Sequence, residues 1–454
     1  MATGPAPRQR ALLVLDGAPG PHPEAASARG AIAEHAARRG WAVSSFHLPD
    51  LAIADCVGDF KCWTHTPGIC GFDDANRDVS RAFVQSDAVV FLTPVTFGGY
   101  SSHLKKAIDH LIVNVSPLFV RDAGETHHAR RYDRLPDLAV VGLMPGHDPE
   151  AERVFAALVA RNVLNFRCVR HAVALVSPGA GSDPVVAPIV RALDHVFSEE
   201  GPRGGAIFGR SSPAAVPASR TGEAPGPARA AVCRVLLLTG SPAAASSTSA
   251  SLGGYLLERL TAQGIGTETV HIYKAQKTTD GFSALLASMS AADLVVLASP
   301  LYVDSLPAPV IRALERIAST RAAGSPAERA RFAAIVNGGF PEVWHNFVAI
   351  DICRLFARDA GFDWAGGLPL GGGGMVGGRP LPTLGGRARH LVRALDLTAS
   401  ALGAGRPVPA PAVDLFSRKS IPTWVYRYFA NAGFRREAET LGAASRLRDR
   451  PYDG

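Results

Sequence analysis

One phrase is written twice in this chain. Asp87-Ala88-Val89-Val90-Phe91-Leu92-Thr93-Pro94 returns as Asp293-Leu294-Val295-Val296-Leu297-Ala298-Ser299-Pro300. At the same offset, LKKAIDHL (104–111) meets VIRALERI (310–317). Each phrase is an apolar run, a hydroxyl–proline pair, and then a segment of helical periodicity. Gly17-Ala18-Pro19 has a counterpart in Gly240-Ser241-Pro242, and Leu138 to Met144 has one in Phe332 to Asn337. Self-similarity on this scale means two copies of one supersecondary unit in tandem.

Inside each copy, short apolar runs alternate with helix-periodic stretches. In the first copy the runs are Ala11 to Leu15, Ala42 to His47, Ala88 to Leu92, Leu138 to Leu143 and Ala172 to Val176. Helices are expected over 25–39, 75–85, from Ser102, near 150–164 and over 183–198. This alternation predicts an α/β architecture in which each copy is a doubly wound parallel sheet with helices on both faces. The boundaries read as a first domain over 8–200, a Pro/Gly/Ala-rich linker over 201–231 taken as flexible, and a second domain over 232–412. A tail, 413–454, carries Ile421, Trp424, Val425, Tyr428 and Phe429 at helical spacing and is expected to pack on the second domain.

Composition removes several alternatives. The chain has 454 residues, 47% of them hydrophobic and 19% charged, enough for two large cores. Its net charge of +7 comes without a basic run carrying interleaved aromatics, so nucleic acid is not expected as a partner. No apolar run approaches the ~20 residues of a membrane span, and no signal-peptide core follows the N-terminus. Six cysteines in this length do not make a disulfide framework, and the cytoplasm is the default location.

In an open parallel sheet, ligands lie beyond the carboxyl ends of the strands, near the switch in strand order. Three loops of the second copy meet there. Gly240-Ser241-Pro242 with Ser246-Ser247-Thr248-Ser249 opens a helix, whose free N–H groups and dipole suit a phosphate monoester. Plain Ser/Thr capping is the blander reading of the same residues. Ser299 to Pro307 carries Tyr302, suited to lie against a flat ring. Asn337 to Glu342 is a glycine-flanked turn whose backbone can approach a ring edge. A phosphate cradle beside two ring-edge loops suggests a phosphorylated planar cofactor.

These residues resemble two fused members of the flavodoxin-like NAD(P)H-dependent FMN reductase family. In the first copy the resemblance rests on Cys62-Trp63-Thr64-His65-Thr66-Pro67-Gly68-Ile69-Cys70 with Asp73-Asp74, on Thr93 to Ser102 with Leu104-Lys105, and on Glu125 to His128 with Arg131-Tyr132. In the second it rests on Gly240-Ser241-Pro242, Ser247-Thr248-Ser249, Ser299-Pro300-Leu301-Tyr302, Asn337 to Glu342, and Ile421-Pro422. The resemblance implies non-covalent FMN, with NAD(P)H as co-substrate and a small-molecule electron acceptor. Ser241, Ser247, Thr248 and Ser249 would hold the phosphate. Pro300, Leu301, Tyr302 and Val303 would line the ring, with Asn337, Gly338 and Gly339 at its polar edge. The flavin carries the chemistry, so no catalytic side chain is required. The acceptor is expected to be a quinone, flavin, nitro compound or similar small molecule. The alternatives are an FMN electron carrier without its own NAD(P)H turnover, and a flavin-free flavodoxin-like binding or assembly protein.

The first copy departs from this pattern. Ala18 replaces the serine of the phosphate loop, and only Ser27 supplies a hydroxyl near the following helix start. Its ring-side loop is retained, which makes Pro94, Val95, Thr96, Phe97 and Gly98 weaker candidates for a second flavin. Members of the family commonly dimerise with flavin near the interface, so the fusion is expected to form an intramolecular pseudo-dimer, with a homodimer as a further option. Cys56-x2-Asp59-x2-Cys62-x7-Cys70 resembles the cysteine cluster of iron–sulfur flavoproteins, with Asp59 in place of one thiolate. A structural loop is the favoured reading, ahead of a cluster on Cys56, Cys62 and Cys70, a redox pair of Cys62 and Cys70, or zinc. His127-His128 reads as part of a charged surface stretch, and Cys168, Cys233 and Cys353 read as buried packing groups.

Overall fold

A computed structural model describes residues 8–177, 182–198, 204–208, 232–322 and 330–453. The apolar runs become strands. The first copy contains β1 (Ala11–Asp16), β2 (Ala42–His47), β3 (Ala88–Thr96), β4 (Gly99–Tyr100), β5 (Val115–Asp122), β6 (Glu125–Arg130), β7 (Asp137–Leu143), β8 (Arg170–Val176) and β9 (Gly204–Phe208). The second contains β10 (Arg234–Thr239), β11 (Gly266–His271), β12 (Leu294–Pro300), β13 (Arg331–Asn337) and β14 (Asp363–Leu370). The main sheets run β2-β1-β3-β7-β8-β9 and β11-β10-β12-β13-β14, parallel throughout. The second order, and the first up to β8, is the flavodoxin-like arrangement, with its switch point between the first and third strands of each copy. The central strands β7 and β13 are buried along their whole length because helices cover both faces.

The copies pack through equivalent elements. Helix Ser102–His110 lies against its counterpart Ala308–Ala322, and helix Pro149–Phe166 lies against Phe347–Asp359. The contact is reciprocal in detail. The Asp109 carboxylate accepts from the Ala308 N–H at 2.9 Å, while Glu315, at the matching position of the other copy, accepts from the Ser102 N–H at 3.0 Å and hydroxyl at 2.6 Å. Each carboxylate thus caps the positive end of its partner's helix. One apolar core crosses the junction, joining Phe91 and Phe155 to Leu314, Ile352 and Phe356. This is the isologous geometry of a two-fold dimer, built within one chain.

Four sequence expectations are corrected. Residues 204–208, assigned to the linker, form β9 at the edge of the first sheet, paired with β8; residues 209–231 lie outside the described residues. The tail does not pack on the second copy alone. Helix Ala410–Phe416 does so, but helix Thr423–Thr440 and the residues after it lie on the first copy. There Arg131 donates to the Leu447 and Asp449 carbonyls, and Arg450 pairs with Asp133. His127 and His128 belong to a hairpin strand at the interface rather than to a solvated stretch. Cys353 is buried and Cys168 half-buried as packing groups, but Cys233 is exposed.

Candidate functional site

At the carboxyl end of β10, Gly240 is held close. A Cβ there would come within 2.8 Å of Val310 and 2.9 Å of the Ser299 hydroxyl. The loop then enters helix Thr248–Thr261. Ser247 caps it, accepting from the Ala250 N–H at 3.1 Å. The Thr248 hydroxyl donates to the Gly373 carbonyl at 2.9 Å, and the Ser249 hydroxyl accepts from the Asn337 amide at 2.8 Å. Three of the four candidate hydroxyls are therefore engaged: Ser247 within its own turn, Thr248 with the segment after β14, and Ser249 with the Asn337 loop. Ser241 differs. It is only 7% exposed, and among the described residues its hydroxyl has no hydrogen-bond partner.

The second loop closes on a two-residue turn. Tyr302 and Ser305 exchange backbone hydrogen bonds at 2.8 and 3.1 Å, with Val303 and Asp304 at φ of 49° and 56°. Asp is among the residues that tolerate this left-handed region. Gly58 of the first copy lies directly against Tyr302, where a Cβ would run into the phenol oxygen. Burial pushes the Tyr302 phenol well above its ordinary pKa, so it stays protonated. In the third loop, Asn337 also donates to the Ser299 carbonyl at 3.0 Å, and Tyr426 of the tail donates to the Gly339 carbonyl at 2.8 Å.

A cavity of about 690 Å³ opens between the copies at this point. Leu301, Tyr302, Val303, Gly339 and Phe340 supply the side from the second copy. Ser241, Ser247, Thr248, Ser249, Pro300, Asn337 and Gly338 stand behind these residues, off the cavity wall. The Thr248–Gly373 bond links them to Gly374 and Met375, which do line it. The first copy adds Cys56, Phe60, Trp63, Phe119 and His128, and the tail adds Tyr426 and Phe434. The wall is aromatic: Phe340 packs against His128 and Phe119 with ring centroids 5.1 Å from each, and Phe434 meets Trp63 edge-on at 5.8 Å. His128 donates from Nδ1 to the Ser116 carbonyl at 2.9 Å, and burial pushes its pKa down to about 4, so it is a neutral ring near pH 7.

A charged network joins the copies beside the cavity. Arg161 reaches the Asp304 carboxylate at 3.2 Å, the Glu125 carboxylate at 2.7 Å and His345 Nδ1 at 2.6 Å. Asn165 also donates to Asp304, and the Trp344 indole donates to Glu125. Burial opposes ionisation of Asp304, but His345 and Arg161 outweigh it and hold the carboxyl far below the usual range. Sequence reading missed this network, because Asp304 and Arg161 meet only when the two copies dock. It also missed Arg379 and Arg387, exposed at the cavity rim.

The weaker candidates of the first copy are placed elsewhere. Pro94, Val95, Thr96, Phe97 and Gly98 do not reach the cavity. Phe97 and Gly98 form the β3–β4 turn, and Phe97 meets Phe356 edge-on at 5.3 Å. A Cβ on Gly98 would lie 2.8 Å from both Leu355 and Val154, so the two helices clamp this turn. At the first copy's counterpart of the Gly240–Ser249 loop, the Ala18 N–H is already used, donating to the buried Asp16 carboxylate at 2.9 Å, while Arg29 pairs with the other oxygen at 2.6 Å. Thr239 occupies the corresponding position in the second copy and bonds His271.

Of the cysteines, Cys70 stands 3.5 Å from His110 Nδ1, whose Nε2 faces the Ala54 carbonyl at 2.8 Å. Burial alone would raise the Cys70 thiol; the imidazole outweighs it and leaves the pKa lowered. Burial and Asp109 push Cys56 up to about 12, and burial raises Cys62 well above its ordinary value. Among the described residues, no group of three or more His, Cys, Asp or Glu side chains is placed to hold a metal ion.

Strand order and packing define a tandem flavodoxin-like protein whose copies are paired about a shared face. Residues 11–131 and again 233–344 match the family described as NADPH-dependent FMN reductase. The two matches span just over half of the chain, and the chain belongs to this family. It is an FMN-dependent oxidoreductase with NAD(P)H as electron donor. Similar solved structures include an FMN-dependent NADH-azoreductase from Bacillus anthracis str. Ames Ancestor in complex with FMN, at 15% identity and TM-score 0.29, covering 37% of this chain and 99% of that one. Another is an NAD(P)H:quinone oxidoreductase from Methanothermobacter marburgensis, at 13% identity and TM-score 0.31, covering 41% of this chain and 94% of that one. No curated protein gives a significant match. Among the described residues, no helix is long and apolar enough to cross a membrane.

Proposed function

We propose that each chain holds one FMN, in the second copy, and reduces a flat, weakly polar acceptor such as a quinone or nitro compound. The observation that carries this is the aromatic cavity of about 690 Å³ between the copies, within the ~300–1,000 Å³ of small-molecule sites. The residues present fit the cofactor. The Ser241 hydroxyl is free to donate, and the first N–H groups of helix Thr248–Thr261 have no carbonyl within their own helix to accept them. Ser247 caps the helix, Thr248 is held by the Gly373 carbonyl and Ser249 by the Asn337 amide, which shapes the cradle, and Leu301, Tyr302 and Val303 with Gly339 offer a ring-sized ledge. Held there, FMN would supply the two-electron chemistry, hydride transfer from NAD(P)H and reduction of the acceptor. Arg379 and Arg387 supply positive potential at the rim for the phosphates of the donor. Phe340, Phe119, Trp63 and Tyr426 exclude water and select flat, apolar acceptors.

The test is flavin released by acid from purified, FMN-saturated protein, together with NAD(P)H oxidation. The expected result is one FMN per chain and faster turnover with a quinone than with a charged one-electron oxidant such as ferricyanide. Two FMN per chain would overturn the assignment to the second copy alone. Preference for ferricyanide would overturn the acceptor class.

A further inference from the structure

The tail helix Thr423–Thr440 has two faces with different occupations. Its inner face is committed. Tyr426, Ala430 and Phe434 line the cavity, and Asn431 fixes the helix to Phe119 by accepting from its N–H at 2.6 Å and donating to its carbonyl at 3.0 Å. Its outer face is left to solvent although it is strongly apolar in part. Trp424 is 69% exposed, Tyr428 68% and Phe429 65%. Trp424 and Tyr428 are four positions apart and share one face, and the Tyr428 and Phe429 rings touch at 5.5 Å between centroids. Three large aromatics grouped on a surface mark a contact site rather than ordinary scatter.

The charges around these rings identify the partner. Arg435 and Arg436 follow on the same exposed side, and Arg418 and Lys419 stand exposed just before the helix. Among the described residues, Arg418, Arg435 and Arg436 form no ion pair. Of the two carboxylates on this helix, Glu437 is engaged by the Thr64 hydroxyl of the first copy, which leaves Glu439 to face them. The 18-residue helix presents this mixture along about 27 Å at 1.5 Å per residue. A second copy of the chain is a poor occupant, because a two-fold contact centred on this helix would set Arg418 and Lys419 of one copy against Arg435 and Arg436 of the other. A plane carrying negative charge over an apolar interior matches both the cations and the rings.

We propose that the outer face of helix Thr423–Thr440 docks the protein on an anionic lipid surface. Trp424, Tyr428 and Phe429 enter the headgroup layer, while Arg418, Lys419, Arg435 and Arg436 contact its phosphates and carboxylates. Docking is peripheral, with the helix lying in the plane of the surface. Phe429 also lines the cavity, so its mouth stands at the lipid boundary.

The experiment is co-sedimentation of the full FMN-loaded chain with phosphatidylcholine vesicles, with and without phosphatidylserine. Binding should need phosphatidylserine and should weaken as salt rises. W424A/Y428A and R435E/R436E alter exposed side chains only, and unchanged FMN content and circular dichroism verify that they fold. Each arginine near an anionic surface contributes ~1 kcal/mol, so R435E/R436E should weaken partitioning at least ~30-fold. W424A/Y428A should also release the protein from the vesicles. Failure to bind anionic vesicles at low salt overturns the proposal. So does binding that both variants leave unchanged, or a concentration-dependent self-association that the same variants abolish. None of these outcomes depends on where FMN sits or which acceptor is reduced.

Discussion

Ser241→Asp would give the second copy the charge that the first already carries at its own loop. Asp16 is buried and takes the Ala18 N–H there, so an anion is already present where a phosphate would have to enter. At Ser241, 7% exposed, a carboxylate would face the proposed FMN phosphate, which bears roughly −1.5 to −2 charges near neutral pH. One pair of unit charges at 4 Å costs ~4 kcal/mol at an effective dielectric of 20, and a lost hydrogen bond to a charged group costs ~1.5–3 kcal/mol more. The sum exceeds ~5 kcal/mol, or more than about a thousand-fold in Kd. Ser241→Ala loses only the hydrogen bond and should weaken binding about ten- to a hundred-fold. The assay is titration of deflavinated protein with FMN, followed by quenching of flavin fluorescence. A Ser241→Asp Kd within ten-fold of the unaltered protein would refute the placement of the phosphate. As a companion, Asp16→Asn with Ala18→Ser should leave the content at one FMN per chain, because the ring-side turn of the first copy is clamped by Val154, Leu355 and Phe356.

Two further outcomes concern the junction between the copies. Asp304→Ala strips the partner from Arg161, Asn165 and His345; Glu125 still holds Arg161, so the cost should lie near the lower end of the 3–5 kcal/mol range for a broken buried pair, about 3 kcal/mol. A double-mutant cycle with Arg161→Ala, read from chemical unfolding, should show coupling above ~1 kcal/mol; additivity within ~0.5 kcal/mol would remove the network from the account. The same network predicts acid sensitivity. Burial opposes ionisation of Glu125, but His127, Trp344 and Arg161 together bring its pKa down to about 2, and Asp304 is depressed as well. Because both folded values lie below the unfolded ones, the stabilisation is fully present above the ordinary carboxylate range of ~4 and is lost as pH falls toward 2. The thermal midpoint should therefore fall steeply over that interval, and the fall should be shallower in Asp304→Ala.

Much of the fold was legible because its signals are local. A run such as Val295-Val296-Leu297 ending in Ser299-Pro300 is a buried strand wherever it sits, and the tandem repeat fixed the topology twice over. What escaped was non-local. His127-His128 read as part of a charged surface stretch, but His127 is buried against Glu125 and Asn165, and its neighbours Glu125 and Thr126 meet Trp344 and Glu342 across the junction. β9 was hidden in an Ala/Gly/Pro-rich context, where pairing with β8 outweighs weak propensity. The tail was read as amphipathic, yet no periodicity states which copy an amphipathic helix will cross. One signal was available and passed over: aligning Asp16 with Thr239 shows a carboxylate at the end of the first strand in one copy and a neutral hydroxyl in the other.

The asymmetry between the copies follows from two equivalent turns of two residues each. In the first copy the turn is Phe97-Gly98. Without a Cβ, Gly98 lets Val154 and Leu355 close upon it, and Phe97 fills the remaining space against Phe356. In the second the turn is Val303-Asp304. Asp304 has a side chain that must be hydrogen-bonded once buried, and Arg161, Asn165 and His345 meet it at the edge of the cavity. A glycine at one turn therefore gives a packed junction, and an aspartate at the other gives a polar shelf with open space beside it. The matching exchange at the loops after the first strand of each copy, Asp16-Gly17-Ala18 against Thr239-Gly240-Ser241, runs in the same direction. Gene fusion removes the requirement that two identical subunits do the same thing at both ends of a two-fold axis. Here one end has the features of a filled interface, and the other has those of a binding site whose far wall is supplied by the filled copy.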